Sequence, residues 1–332
     1  MTALLQGELI AHGIGDTIFT RSRNIEQLLG YSNIYLKFEG GNPTGTMKDR
    51  AAYACLRVAK EKGFGELVIG SCGNFGASFV HLSRIFGITT HVYIPEKYHT
   101  PRIAEMERQG GVIHRAPGTY EEVVEFSGVE AGKRGWYNAN PGTPENRAAS
   151  IEAYATIAYE IVERMGRAPD VVAVPTGNGT TLAGINHGFQ NLLRAGKTAK
   201  APAVIASSTD GGNPVVSCWL AGKRRIEDLK PDGLVETALN EPLVSWKSFD
   251  GQEALDALWE SGGWAAHVTD GEMVRYSGIV AREEGLSVLP ASCVSLAALT
   301  YYIKEKKLQK GLDLVAFFTA RNMQPSSGTG SS

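Results

Sequence analysis

Gly40-Gly41-Asn42-Pro43-Thr44-Gly45-Thr46-Met47-Lys48-Asp49-Arg50 is the stretch from which the rest of the chain is best read. It ends a turn-rich loop, opens a strongly helical run from Arg50 to Lys62, and leaves one lysine at the junction. In the first turn of a helix the positive end of the macrodipole disfavours an ammonium group, which lowers the lysine pKa and frees the amine to attack an aldehyde. Taken alone, such a lysine is more simply a solvated helix start. Gly40 and Gly45 have the spacing of a Walker-type phosphate loop, but Thr46 stands where its lysine belongs, so nucleotide binding is excluded here.

Outward from this stretch, residues 1 to 39 read as an irregular lead-in followed by a short alternating strand, Ile34 to Phe38. Downstream, Leu67 to Ser71, His91 to Pro95 and Val112 to His114 are β-rich runs. Between and after them, Gly76 to Phe86, Pro101 to Gln109 and Tyr120 to Lys133 have helical spacing. That alternation predicts a parallel sheet flanked by helices. The turn-rich run Asn138 to Asn146 interrupts it and marks a domain boundary. Beyond lie a helix from Arg147 to Met165, strands at Asp170 to Pro175 and Ala203 to Ser207, and a helix from Thr181 to Leu193 between them. Gly222 to Pro242, charged and broken by Pro231 and Gly233, reads as a surface excursion. A strand at Trp264 to Val268, helices over Glu272 to Glu284 and Ala291 to Lys306, and a terminal strand from Leu312 to Thr319 complete a second α/β unit.

Three further loops are placed to carry chemistry. Ser71-Cys72-Gly73-Asn74-Phe75-Gly76 follows a strand and opens a helix, so its N–H groups and the Asn74 amide converge where ligands of open α/β sheets bind; a plain βα turn explains the glycines equally well. Pro175-Thr176-Gly177-Asn178-Gly179-Thr180-Thr181 has the same placement, with two glycines and several hydroxyls suited to a phosphate monoester. The last strand ends in Phe317-Phe318-Thr319, which puts a hydroxyl at another strand end. His81 and His187 have no neighbour that would make a metal pair, and no metal is expected.

At 332 residues, 43% of them hydrophobic and 20% charged, the chain has the composition of a globular protein of two domains. A net charge of -2 offers no electrostatic case for nucleic acid or an anionic membrane. Cys55, Cys72, Cys218 and Cys293 are far apart with no C-x-x-C, which argues against a zinc site and a disulfide framework. The N-terminal residues lack the features of a signal peptide and no apolar run reaches membrane-spanning length, so a cytoplasmic protein is expected. The Ser/Gly-rich residues 324–332 read as a disordered tail.

Together the four sites resemble the tryptophan-synthase β-like, fold type II family of pyridoxal-phosphate enzymes, most nearly its threonine synthases, from about Ile34 to Thr319. Asn42 to Arg50 is similar to the threonine-synthase segment N-P-T-G-S-F-K-D-R. The resemblance implies that Lys48 forms the imine with pyridoxal 5'-phosphate and later removes the Cα proton. It likewise implies that Asn74 bonds the cofactor's 3'-oxygen, that Gly177, Asn178, Gly179, Thr180 and Thr181 cradle its phosphate, and that Thr319 faces the pyridine nitrogen. Ser71, Cys72, Gly73 and Phe75 would hold the substrate, and Arg147 a phosphate on it. Pro290-Ala291-Ser292 resembles the family's E-P-A-S helix start, with Leu289 in place of the glutamate. The implied fold is two three-layer α/β domains with mainly parallel sheets and the cofactor in the cleft between them. Residues 43–150 would form the smaller, mobile domain, and 1–42 with 151–323 the larger one. A homodimer acting on a small amino-acid substrate is the family expectation.

Departures from the pattern bear on substrate. Cys72 and Phe75 stand where relatives usually carry hydroxyl residues. Asn140-Pro141 is followed by Gly142 to Arg147 where threonine synthases tend to have N-P-Y-R, and Ala320-Arg321-Asn322 replaces a glycine-rich continuation. Three readings stay open: conversion of an activated amino acid such as O-phosphohomoserine to threonine; β-replacement on an activated serine or deamination of serine or threonine; and a catalytically silent binding subunit.

Overall fold

In the computed structural model, residues 2–71 and 73–323 are described. Cys72 and the tail at 324–332 lie outside them. The chain starts with α1 (Thr2–Ala11), β1 (Ile18–Arg21) and α2 (Arg23–Leu29), then runs through β2 (Ile34–Phe38) to α3 (Lys48–Glu61). The strand at Ile34 to Phe38 is where it was expected, but the described lead-in before it is not irregular. Ser22 caps α2 through its side chain and Gly30 ends it in the left-handed conformation, signals that a pattern search weighted to longer helices passes over.

Next come β3 (Glu66–Gly70), α4 (Asn74–Phe86), β4 (Thr89–Pro95), α5 (Pro101–Arg108), β5 (Val112–Ala116), α6 (Tyr120–Arg134) and β6 (Tyr137–Asn138). These strands form an all-parallel four-stranded sheet in the order β5-β4-β3-β6. The turn-rich run after β6 leads into α7 (Pro144–Met165), β7 (Val171–Pro175), α8 (Thr180–Arg194), β8 (Ala203–Thr209) and α9 (Pro214–Leu220). After a long irregular segment the chain closes with α10 (Gly251–Glu260), β9 (Trp264–Val268), α11 (Asp270–Glu284), α12 (Val294–Lys304) and β10 (Leu314–Phe318).

The second sheet has six strands in the order β1-β2-β10-β7-β8-β9, parallel except for β1. Every residue of β7 (VVAVP) and β10 (LVAFF) is buried, as a parallel sheet covered on both faces requires. The topology also explains why residues far apart in sequence meet. β10, the last strand, inserts between β2 and β7, so the loops leaving these three neighbours are side by side at the sheet's carboxyl edge. Met47 N donates to Thr319 O at 2.8 Å, and Thr46 pairs with Ala320 in an antiparallel bridge, fastening the start of α3 to the end of β10.

A buried ionic cluster fixes α3 from its other side. Arg50 Nε donates to Glu39 at 2.7 Å and Nη1 to Glu160 at 2.6 Å, while Lys37 Nζ reaches Glu160 at 2.6 Å and Glu39 at 3.3 Å. Two cations and two carboxylates, contributed by β2, the turn after it, α3 and α7, thus neutralise one another away from water. Both carboxyls are held below the ordinary carboxylate range, by Arg50 first and Lys37 second, against their burial. Among the described residues no helix is long and apolar enough to cross a membrane.

Candidate active site

A single cavity of about 1070 Å³ contains every candidate residue that is described. It is lined by Lys48 from the head of α3, by Ser71, Gly73, Asn74 and Phe75 after β3, by Arg147, by Gly177 to Thr181 after β7, and by Thr319 after β10. All but Arg147 follow the carboxyl ends of parallel strands, the position at which open α/β sheets bind ligands. The excursion that was expected to lie on the surface belongs here in part: Leu234, Glu236, Ala238, Glu241 and Pro242 line the same cavity. Its first half is mostly exposed, but the chain must return across the cavity to reach α10, which composition does not reveal.

Lys48 is half-buried, with Nζ 5.2 Å from the ring centre of Phe75 and 5.8 Å from that of Tyr154. Among the described residues its Nζ has no ion-pair partner. Burial pushes the amine down to about 8, and the Asp250 carboxylate partly opposes the shift. The lowered value was expected, but its principal cause is desolvation between two aromatic rings, not the helix dipole. With that value the neutral fraction is about a tenth at pH 7 and about nine-tenths at pH 9. The rate at which Lys48 condenses with an aldehyde is therefore expected to rise about tenfold over this interval and then level off, against about a hundredfold for an ordinary lysine. Stopped-flow absorbance with an aromatic aldehyde measures it; a rise that continues unabated beyond pH 10 would contradict the assignment.

The loop after β7 is shaped by its glycines. Gly179 has φ 94°, and a Cβ there would lie 2.7 Å from Ala254 Cβ; at Gly177 a Cβ would lie 2.8 Å from Pro242 O. The glycines thus let the loop pack tightly against Pro242 and Ala254 as it leads into the head of α8, where the dipole favours an anion. Tyr154 bonds the Thr181 side chain, and Asn178 Oδ1 accepts from Phe249 N at 2.6 Å. Thr180 Oγ1 donates to Asp250 at 2.8 Å.

Asn74 begins α4, and its Oδ1 accepts from Arg102 Nε at 3.1 Å and Nη2 at 2.9 Å. That leaves the amide nitrogen of Asn74 as the donor available to a ligand. Ser71 Oγ accepts from Gly76 N at 2.8 Å, so it shapes the turn. Thr319 Oγ1 and Ser292 Oγ are 2.6 Å apart, a neutral hydroxyl pair at the end of β10. Arg147 has three of its five N–H donors engaged: Nε to Asp250 at 3.0 Å, Nη1 to Glu253 at 2.5 Å and Nη2 to Gly142 O at 3.1 Å. Arg102, Tyr154, Asp250 and Ser292 all escaped the reading as site residues. Only Ser292, inside the Pro-Ala-Ser run, carried a local signal; the others come from helices and loops whose approach is tertiary. Cys55, Cys218 and Cys293 are buried free thiols.

Residues 10–320 match the family described as pyridoxal-phosphate dependent enzyme. A threonine synthase of Methanocaldococcus jannaschii is 30% identical over 312 residues, 93% of this chain and 75% of that protein. One from Halalkalibacterium halodurans is 28% identical over 319 residues, covering 95% and 84%. Among solved structures, threonine deaminase isoform 2 from Solanum lycopersicum superposes with a TM-score of 0.77 at 17% identity, covering 97% of this chain and 90% of the other. Serine racemase from Dictyostelium discoideum gives 0.75 at 20% identity, covering 98% and 97%. These structures share the fold: mixed α/β with mainly parallel sheets. The chain belongs to the pyridoxal-phosphate-dependent enzymes of fold type II and uses that cofactor.

Proposed function

We propose that the protein catalyses elimination and replacement on an activated amino acid, in the manner of the threonine synthases to which it is similar, with O-phosphohomoserine to threonine and phosphate as the leading reaction. The observation that carries this reading is the Lys48 amine, held between Phe75 and Tyr154 with no ion-pair partner among the described residues, in the cavity that also takes in Thr319 of the neutral Thr319–Ser292 hydroxyl pair. The residues fit the cofactor: the Gly177 to Thr181 backbone at the head of α8, its glycines packed tightly against Pro242 and Ala254, suits its phosphate, and an amine with a pKa of about 8 suits its aldehyde.

When bound, the cofactor supplies an electron sink for the pair left at Cα. The chain supplies the rest. Lys48 Nζ anchors the cofactor and, once released by the substrate's amine, takes the Cα proton as general base. Asn74, braced by Arg102, would donate from its amide nitrogen to the ring's oxygen substituent. Thr319 and Ser292 would hold the ring nitrogen through neutral hydroxyls, an environment that would not drive its protonation and would favour loss of a side-chain leaving group over transamination. In this reading residues 43–150 close on 1–42 with 151–323 and exclude water, and the enzyme is a cytoplasmic homodimer.

A second reading, β-replacement on an activated serine or deamination of serine or threonine, is supported by Arg147. Three of its five N–H donors and its charge are engaged by Asp250, Glu253 and Gly142, which weakens it as a ligand for a substrate phosphate. Assaying O-phosphohomoserine, O-phosphoserine, O-acetylserine, serine and threonine for phosphate, acetate or oxo-acid release separates the two. Phosphate and threonine from O-phosphohomoserine are expected; oxo acid from serine or threonine alone would replace the first reading by the second, and no turnover of any would favour a silent subunit.

A further inference from the structure

Asp250 stands at the N-cap of α10, where an aspartate ordinarily accepts bonds from its own helix's first N–H groups, yet its side chain makes no such bond. Both carboxylate oxygens turn elsewhere. Oδ2 accepts from Thr180 Oγ1 at 2.8 Å, at the head of α8. Oδ1 accepts from Gly142 N at 3.1 Å and Arg147 Nε at 3.0 Å, in the stretch that leads from β6 into α7 and so from one sheet to the other. The residue is 2% exposed, and a carboxylate so placed is costly unless its lone pairs are satisfied by this set of donors.

Phe249 makes a second link between the same two places. Its N donates to Asn178 Oδ1 at 2.6 Å, and a Cβ on Gly142, which has φ 85°, would lie 3.3 Å from Phe249 Cβ. Arg147 returns a bond to Gly142 O at 3.1 Å and is held on its far side by Glu253. A continuous polar path therefore runs from Thr180 through Asp250 to Arg147 and Gly142, with the buried Asp250 carboxylate at its centre and partly exposed groups at its ends.

We propose that Asp250 is a positioning residue through which occupancy of the 177–181 loop restrains the 138–147 turn joining the two sheets. This rests on the reading of 177–181 as the cradle of the cofactor's phosphate. A phosphate seated there restrains Thr180, Thr180 restrains the carboxylate, and the carboxylate holds Arg147 and the Gly142 N–H. The turn is thereby stiffened when the cofactor is in place and looser when it is not.

Hydrogen exchange on the full chain, with and without saturating pyridoxal 5'-phosphate, tests this. In the natural sequence loading is expected to slow exchange at 177–181 and, by about tenfold, at 138–147. In Asp250→Asn and, independently, Thr180→Val, slowing at 177–181 persists at saturation while that at 138–147 falls below about twofold. Glu253→Gln removes Arg147's other acid but leaves the path to Thr180, and keeps the slowing; a purely structural contribution from the acids around Arg147 would not separate these variants. Equal slowing at 138–147 in Asp250→Asn and the natural protein, or none there in the natural protein while 177–181 slows, overturns the inference. No slowing at 177–181 in the natural protein removes the cradle reading and the inference with it.

Discussion

Lys48→Ala is expected to abolish turnover, by on the order of 10⁴-fold or more, together with the visible absorbance that the cofactor gains when joined to the chain. In the proposed reading two functions vanish at once, because the same Nζ serves as anchor and as base. The fold should be spared. Lys48 Nζ has no ion-pair partner among the described residues, its ammonium is disfavoured by burial, and alanine is the best helix former, so stability should change by less than about 1 kcal/mol. Absorbance, borohydride reduction followed by peptide mapping, and a denaturation curve on one preparation check all three. A variant that kept both the band and turnover would sink the assignment; loss of turnover with the band intact would move the attachment to another lysine.

Arg50→Met is expected to cost about 3–5 kcal/mol, a large fraction of the total stability of an ordinary domain. Methionine fills much of the arginine's space but leaves Glu39 and Glu160 with Lys37 as their remaining cation in a buried site. The loss should be partly rescued by adding Glu160→Gln, since removing one charge from each side restores the balance; the two changes share a partner and will not add. Urea midpoints of the single and double variants measure this, and additive losses would contradict the cluster's reciprocity. The pH dependence follows from the same groups. Glu39 and Glu160 have folded-state pKa values below their ordinary value of 4.5, so their contribution is fully present above that value and is lost as pH falls through it towards the folded values. In Arg50→Met the part of the acid sensitivity between pH 4.5 and lower values that Arg50 supplies should shrink.

Lys48, the 71–76 loop, the 175–181 loop and Thr319 were legible in the sequence because each is a local event: a glycine turn between a strand and a helix, or the polar residue that ends an apolar strand. Strands and helices of the alternating core were legible for the same reason, since their periodicities are set within a few residues. The lead-in before β2 was not, because α1, β1 and α2 are short and acquire their definition from what they pack on. The lowered pKa of Lys48 was anticipated with the wrong principal cause. A helix start can be seen in the sequence, but the Phe75 and Tyr154 rings that exclude water come from different helices, 27 and 106 positions away.

By itself, then, the sequence determined the α/β class, the lysine, and which loops lie at strand ends, all properties of near neighbours along the chain. Only the tertiary structure decided who shares the site with them. Inserting β10 between β2 and β7 brings Thr319 to the Lys48 loop. The return of residues 241–250 across the cavity places Asp250 between Thr180 and Arg147. Arg147, for which the family resemblance implies a substrate phosphate, bonds two carboxylates and a carbonyl. Charge balance in a buried place depends on which chains arrive there, and no local pattern records that.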